Sequence, residues 1–262
     1  TCTDKSLQAS MIFTSNGNCL SLIFPKSSRC SSKTFESVCP LNSPSLIVLS
    51  PFGCAALHEN SLGKTECWYV LGCKEDTKMV MGHHAKTKEE LVKAIENDDY
   101  DHLLNKFDIK KGDFFYIPSG TIHAICKGSL IYEAQQSSDI TYRVYDYHRK
   151  DKDGNERELH LKQAIDCLSF DKDIDKNDVH PVVKVHENMK ETIFISNDSF
   201  TVSQLLVIGK CQYKCDNYQL ATVVKGSGKV DEYDVKVGDN FLVPTNTSIE
   251  LDGQMMIMMT TK

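Results

Sequence analysis

The stretch that decides the fold is Gly112-Asp-Phe-Phe-Tyr-Ile-Pro118-Ser-Gly120-Thr-Ile-His123. Gly112-Asp113 turns the chain into a short aromatic and branched strand over 113–117, because glycine accepts the positive φ that tight turns demand. Pro118 and Gly120 form a second turn. The strand that follows, over 121–125, points His123 inward, where an imidazole can bind a metal ion. Much of the string recurs as Gly238-Asp-Asn-Phe-Leu-Val-Pro244, and each copy is entered through a Lys-x-Gly-Asp turn, Lys110–Asp113 and Lys236–Asp239. A repeated turn–strand–proline unit implies two copies of one β-module. The second copy continues Thr245-Asn246-Thr247-Ser248-Ile249. Its glycine is replaced by Asn246 and its histidine position is read as Ser248, so it is expected to carry no metal.

Outward from the motif the chain reads as short strands separated by Gly, Ser and Pro turns. Strands are expected over 66–72, 78–82, 129–135 and 141–147, and again in series from 182 to 261. Two helical regions interrupt them. Thr87-Lys-Glu-Glu90 fits a capping box, and Leu91, Ile95, Leu103 and Leu104 extend a helical pattern to about 106. A second helix is expected over 158–168, with Leu161, Ile165 and Leu168 on one face, after a polar turn at 151–157. The result is a mainly β sandwich or barrel with a small helical insertion.

Composition narrows the function classes. The chain has 262 residues, 25% of them charged, and a net charge of −6. That leaves no basic footprint for nucleic acid, and no apolar run approaches the ~18 residues of a transmembrane helix. The average hides a break at Ala56/Leu57. Residues 1–56 hold 5 of the 11 Cys, none of the 9 His and only 6 charged residues, whereas the remaining 206 hold 60 charged residues. Five unevenly spaced cysteines give no disulfide framework. Cys67, Cys73 and Cys126 are expected to be reduced packing residues, and His83-His84, adjacent on a strand and facing opposite sides, is given no site role.

The Gly-x5-Pro-x-Gly-x2-His string that ends at His123 matches the second motif of the cupin superfamily. Three further strings accompany it: Leu62-Gly-Lys64-Thr-Glu66-Cys-Trp68, Glu133-Ala-Gln-Gln-Ser-Ser-Asp139 and Thr141-Tyr-Arg143-Val-Tyr-Asp-Tyr147. Together they make the chain resemble type I mannose-6-phosphate isomerases in their short bacterial form, over 57–262 and most strongly over 57–170. The resemblance implies a double cupin (jelly-roll). A catalytic cupin would span 57–170, with its helical insertion at 87–106, and a metal-free cupin 171–262. It also implies a zinc enzyme that interconverts mannose 6-phosphate and fructose 6-phosphate in the cytoplasm, with a small sugar phosphate as partner and no nucleic acid or membrane. Glu66 and His123 match metal ligands, Arg143 matches an active-site arginine, and Lys64 and Glu133 match pocket positions. The chemistry needs such groups. Aldose–ketose isomerisation passes a proton between C1 and C2 through an enediol. A Lewis acid or fixed cation stabilises the developing oxyanion, a carboxylate such as Glu133 transfers the proton, and Lys64 holds the phosphate or a sugar oxygen.

The family's further ligands lie in a Gln-x-His-Pro-Asp type strand upstream. The corresponding region here, 45–57, contains neither Gln nor His. Residues 1–56 are therefore read as out-of-frame translation, with the first cupin's N-terminal strands lost or irregular. With two recognisable ligands, weak zinc binding and little turnover are expected. The rival readings are a remnant that binds sugar phosphate without turnover, and another metal cupin such as an oxygenase. The oxygenase needs two His and a carboxylate on iron, and only one convincing His is present.

Overall fold

The computed structural model describes residues 64–125, 127–136, 141–170 and 179–262, together with strand segments 7–13, 18–19, 39–40 and 46–49. The remainder of the 45–57 string, Leu62, Cys126 and Asp139 lie outside the described residues. Two compact units are present, Thr1–Lys176 and Asn177–Lys262. Among the described residues, no helix is long and apolar enough to cross a membrane.

In chain order the first unit contains β1 (Leu7–Phe13), β2 (Asn18–Cys19), β3 (Cys39–Pro40), β4 (Leu46–Leu49), β5 (Glu66–Cys73) and β6 (Lys78–His83). Then come α1 (Lys88–Glu96), α2 (Tyr100–Leu103), β7 (Leu104–Asp108), β8 (Phe114–Ile117), β9 (Ile122–Ala124), β10 (Ser129–Gln136), β11 (Thr141–Tyr145) and α3 (Leu161–Cys167). They build two antiparallel sheets, ordered β1-β10-β5-β8 and β11-β4-β9-β6-β7. The period-2 alternation of β-strands sorts the core into two layers. Met79 and Met81 of β6 pack with Trp68, Val70, Phe115, Ile117 and Ile131 of the four-stranded sheet. Val80 between them faces the other way, into a cluster with Val48, Ile122, Ala124, Tyr142 and Val144, covered by Leu91 of α1 and by Ala164 and Cys167 of α3. The five-stranded sheet thus carries helices on its back, and its front closes on the other sheet. Part of the head enters this scaffold: β4 pairs with both β9 and β11, and β1 pairs with β10. The strands expected to be lost or irregular thus contribute to both sheets, and β2 and β3 form a two-residue antiparallel ribbon.

The helical expectations need trimming. The cap at Thr87 forms, with the Glu90 N–H donating to Oγ1 at 3.2 Å, but Glu90 reaches back to the Lys86 N–H rather than to that of the cap residue. The helix does not run to 106. Asp98 takes a left-handed φ of 56°, and 104–108 is the strand β7 paired with β6. Leu103 and Leu104 are both buried because they straddle a helix–strand junction, not because they share a helix face. The strand expected over 141–147 ends at Tyr145, since Tyr147 and His148 adopt φ of 55° and 51°. In α3 the fully buried positions are Ala164 and Cys167; Leu161 and Ile165 are only half-buried.

The second unit contains β12 (Val182–His186), β13 (Met189–Ser196), β14 (Thr201–Ile208), β15 (Cys211–Cys215), β16 (Gln219–Val230), β17 (Tyr233–Lys236), β18 (Asn240–Val243) and β19 (Thr247–Thr261). One antiparallel sheet, β12-β13-β14-β19-β16-β17, takes β15 along β19 and β18 along β16. Leu205, Val207, Val223, Ile249, Leu251 and Ile257 are among its core residues.

The sequence echo is a structural one. In the first unit the Gly112 N–H donates to Val70 O at 2.8 Å, the Val70 N–H to Asp113 O at 2.9 Å, and the Lys110 N–H to Asp113 Oδ2 at 3.0 Å. In the second the Gly238 N–H donates to Val223 O at 2.9 Å, the Val223 N–H to Asp239 O at 3.0 Å, and the Lys236 N–H to Asp239 Oδ2 at 2.8 Å. The φ angles of Gly112 and Gly238 are 95° and 94°. This superposition corrects one assignment: the counterpart of His123 is Ile249, 5% exposed in the core, while Ser248 corresponds to Ile122. A glycine contrast tests the backbone. A Cβ on Gly238 meets open space, whereas one on Gly226, also at positive φ, falls 1.9 Å from the Gln254 carbonyl oxygen. Gly238→Ala is expected to cost about 1 kcal/mol from φ alone. Gly226→Ala is expected to cost about 3 kcal/mol, the upper end of ordinary substitutions. Urea unfolding of the two variants measures the difference, and equal losses would contradict this account.

Candidate active site and metal centre

The site grows from strand register. Trp68 belongs to the layer between the sheets, so Glu66, two residues earlier on β5, faces the same way. Antiparallel β10 sets Glu133 opposite Trp68 and Gln135 opposite Glu66. On the five-stranded sheet, Ile122 and Ala124 point back to the helices, which turns His123 forward. His123 lies in register with Met81 on one side and Ile47 on the other, and Ile47 with Arg143. Arg143 is therefore two strands from His123 on the same face.

The structure brings four of the five expected site residues into one buried cluster. Glu66 is 2% exposed and His123 is fully buried. His123 Nε2 lies 3.1 Å from Glu66 Oε1, and Lys64 Nζ lies 3.7 Å from Glu66 Oε2. Glu133 Oε2 accepts a hydrogen bond from Trp68 Nε1 at 3.1 Å. Arg143 stands apart, half-buried, with Nη1 donating to the Glu158 carbonyl at 3.0 Å. Sequence reasoning gave no role to Trp68, Thr121 or Gln135. The signal for Trp68 was its two-residue spacing from Glu66, which puts its ring on the site face; it packs edge-on to His123 at 5.2 Å. His83 and His84 stay outside the cluster, His83 edge-on to Phe170 and His84 exposed.

Electrostatics separate the two carboxyls. Burial works to raise the pKa of Glu66, but His123 and Lys64 together outweigh it and hold that carboxyl below its usual value. Burial pushes Glu133 up to about 8, and the negative charge of Glu66 adds to the effect. Glu66 therefore ionises well before Glu133, the division of labour that acid–base chemistry uses.

The imidazole geometry bears on a metal. His123 Nδ1 lies 2.8 Å from the Thr121 carbonyl oxygen, which can only accept, so Nδ1 carries the proton. Nε2 then lies 3.1 Å from a carboxylate oxygen of Glu66, without hydrogen-bond geometry. That arrangement suits a cation shared by the two atoms. The spacing fits: bonds of about 2.0–2.1 Å to tetrahedral zinc put neighbouring donors about 3.3 Å apart. The Thr121 carbonyl supplies the outer partner that fixes the tautomer of a ligating histidine. Among the described residues, no group of three His, Cys, Asp or Glu side chains converges to hold a metal.

Comparison with known proteins places this geometry. A family model described as mannose-6-phosphate isomerase, cupin domain, matches residues 190–262. The chain is similar to mannose-6-phosphate isomerase of Streptococcus mutans, 42% identical over 207 residues that cover 77% of this chain and 65% of that protein. It is also similar to mannose-6-phosphate isomerase ManA of Bacillus subtilis, 43% identical over 72% of this chain and 62% of that protein. The chain thus spans somewhat under two thirds of the length of these curated relatives. The crystal structure of the mannose 6-phosphate isomerase from Bacillus subtilis matches with a TM-score of 0.80 and 34% identity, covering 84% of this chain and 72% of that one.

Proposed function

Since the chain belongs to the type I mannose-6-phosphate isomerase family of the cupin superfamily, we propose that it interconverts mannose 6-phosphate and fructose 6-phosphate, using zinc and an enediol. The observation that carries this proposal is the buried cluster in which His123 Nε2 lies 3.1 Å from Glu66, with Lys64 and Glu133 beside it. Glu66 and His123 would hold the zinc. When bound, it supplies a Lewis acid for the negative charge that develops on the sugar carbonyl oxygen. Glu133 moves the proton between C1 and C2, and burial raises its pKa from the ordinary carboxylate range toward working pH, where a general acid–base is most effective. Trp68 fixes the Glu133 carboxyl through its Nε1–H. Lys64 offers donors to a sugar oxygen, and Arg143, permanently charged, suits an oxyanion or a phosphate. The apolar wall of Trp68, Phe115 and Ile117 excludes water from the reacting carbons. A phosphorylated sugar substrate is a cytoplasmic metabolite, and we propose that location.

Two described donors hold zinc weakly, because catalytic sites ordinarily have three protein ligands. Turnover is therefore expected to vanish with EDTA and to rise with added zinc instead of surviving dialysis. Run in deuterium oxide, the reaction is expected to place solvent deuterium at C2 of mannose 6-phosphate, read by proton NMR. No turnover at any zinc concentration would overturn the assignment, and sugar phosphate bound without turnover would mark a remnant. Turnover with no deuterium incorporated even after many cycles would favour a hydride shift between C2 and C1 over the enediol.

A further inference from the structure

Beyond the pocket, the most heavily bonded carboxylate among the described residues is Asp146, 4% exposed. Arg157 grips it as a fork, Nε to Oδ2 at 2.8 Å and Nη2 to Oδ1 at 2.6 Å. Arg149 grips it from the other side, Nη2 to Oδ1, while its Nε and its backbone N–H both donate to the Asp146 carbonyl at 3.1 Å. The turn this closes contains Tyr147 and His148, two successive non-glycine residues at positive φ. L-residues adopt that conformation rarely, and then where surrounding bonds over-determine it.

From that turn the chain makes a polar excursion and returns. The Asp151 side chain accepts from the N–H groups of Asp153 and Asn155, and Lys150 bridges to Glu156. The return delivers Arg157 to Asp146 and then runs straight into the partners of Arg143. The Glu158 carbonyl accepts from Arg143 Nη1 at 3.0 Å. The His160 N–H donates to the Arg143 carbonyl at 2.8 Å, and the Arg143 N–H donates to His160 Nδ1 at 3.2 Å. Arg143 is thus held by backbone and side chain to the far foot of a loop, and the loop's two feet are tied together at Asp146. A buried carboxylate between guanidinium groups is weak evidence of net stabilisation, since desolvation offsets much of the attraction. What it supplies here is geometry.

We propose that Asp146 is a positioning residue: through Arg157 it fixes the 146–160 loop that sets the orientation of the Arg143 guanidinium toward the site. The proposal rests on the isomerase reading only for its activity arm. In Asp146→Asn the shape is kept and the charge removed. The expected result is a loss of about 10–100-fold in kcat/KM for mannose 6-phosphate, the scale of a misplaced site group, with zinc content unchanged. Added to Arg143→Lys, Asp146→Asn is expected to cause almost no further loss, because both act through one guanidinium. The side-chain Nε–H signal of Arg143 in a nitrogen-15 arginine spectrum is expected to shift and to exchange faster with solvent in Asp146→Asn. Should that variant fail to fold, Arg157→Lys, which keeps the charge but loses the fork, is read in the same way. Additive losses in the double variant, or an Arg143 signal that does not move, would overturn the proposal. A parent chain that turns over no mannose 6-phosphate, with the Arg143 signal moving as expected, would instead overturn the isomerase reading alone.

Discussion

Replacing His123 with alanine is expected to lower kcat/KM for mannose 6-phosphate by about a thousandfold, or about 4 kcal/mol of transition-state stabilisation. The ring is fully buried and provides one of the two described donors that face each other across 3.1 Å. Without it Glu66 keeps only Lys64, at 3.7 Å, and the variant is expected to bind no zinc in a titration that saturates the parent. The same change removes a ring from the face of Trp68 and leaves a buried carboxylate short of a partner, which costs about 3–5 kcal/mol when the pair is fully buried. His123→Ile separates chemistry from folding, since isoleucine is the residue the second unit carries at the equivalent position, 249. That variant is expected to fold and to be as inactive as the alanine variant. Zinc analysis with a turnover assay checks both. An isoleucine variant that retained more than a tenth of parental turnover would contradict the metal assignment.

The second large effect concerns Glu133, whose pKa rises in the folded protein from an ordinary 4.5 to about 8 through burial and the charge of Glu66. Below pH 4.5 the carboxyl is protonated in both states and folding does not sense it. Between 4.5 and 8 the unfolded chain ionises first, so the folded state is progressively disfavoured as pH rises, and above 8 the penalty is constant. Integrated, the penalty is on the order of 3–5 kcal/mol in the metal-free protein. Glu133→Gln keeps an oxygen for the Trp68 N–H and cannot ionise. It is expected to match the parent in stability at pH 4.5 and to exceed it by that amount at pH 9, measured by denaturant unfolding in EDTA. It is also expected to lose about 10²–10⁴-fold in turnover, the usual weight of a proton-transfer group. A variant equally destabilised at both pH values would show that Glu133 ionises normally.

The parts of the fold that sequence revealed are those governed by short-range rules. The Lys-x-Gly-Asp turns were readable because glycine at positive φ and an aspartate capping the turn are local requirements, and both turns form with matching hydrogen bonds. That Glu66 and His123 lie together between the sheets is readable because strand alternation turns both side chains to the same layer. Failures came where tertiary contact decides. Leu103 and Leu104 looked like two members of a helical stripe but bury on either side of a helix–strand junction. Strand β4 lies in a segment whose composition marks it as foreign, and only its pairing with β9 and β11 reveals a place in the sheet. The histidine counterpart was misplaced by one residue at Ser248, an error of the kind that turns a strand position to the opposite face. Trp68 and Thr121 escaped notice because their roles rest on an indole N–H and a backbone carbonyl aimed across strands, which residue type alone does not announce.

The duplicated turn has a consequence for how such a protein changes over time. The bonds the two copies share run between backbone groups or to Asp113 and Asp239, and none involves the side chain at the end of the string. The mould is therefore indifferent to its casting: one copy holds an imidazole among carboxylates, and the other holds Ile249 in oil. A lineage carrying such a fold can erase reactivity at that spot by a single codon change while the architecture stays intact.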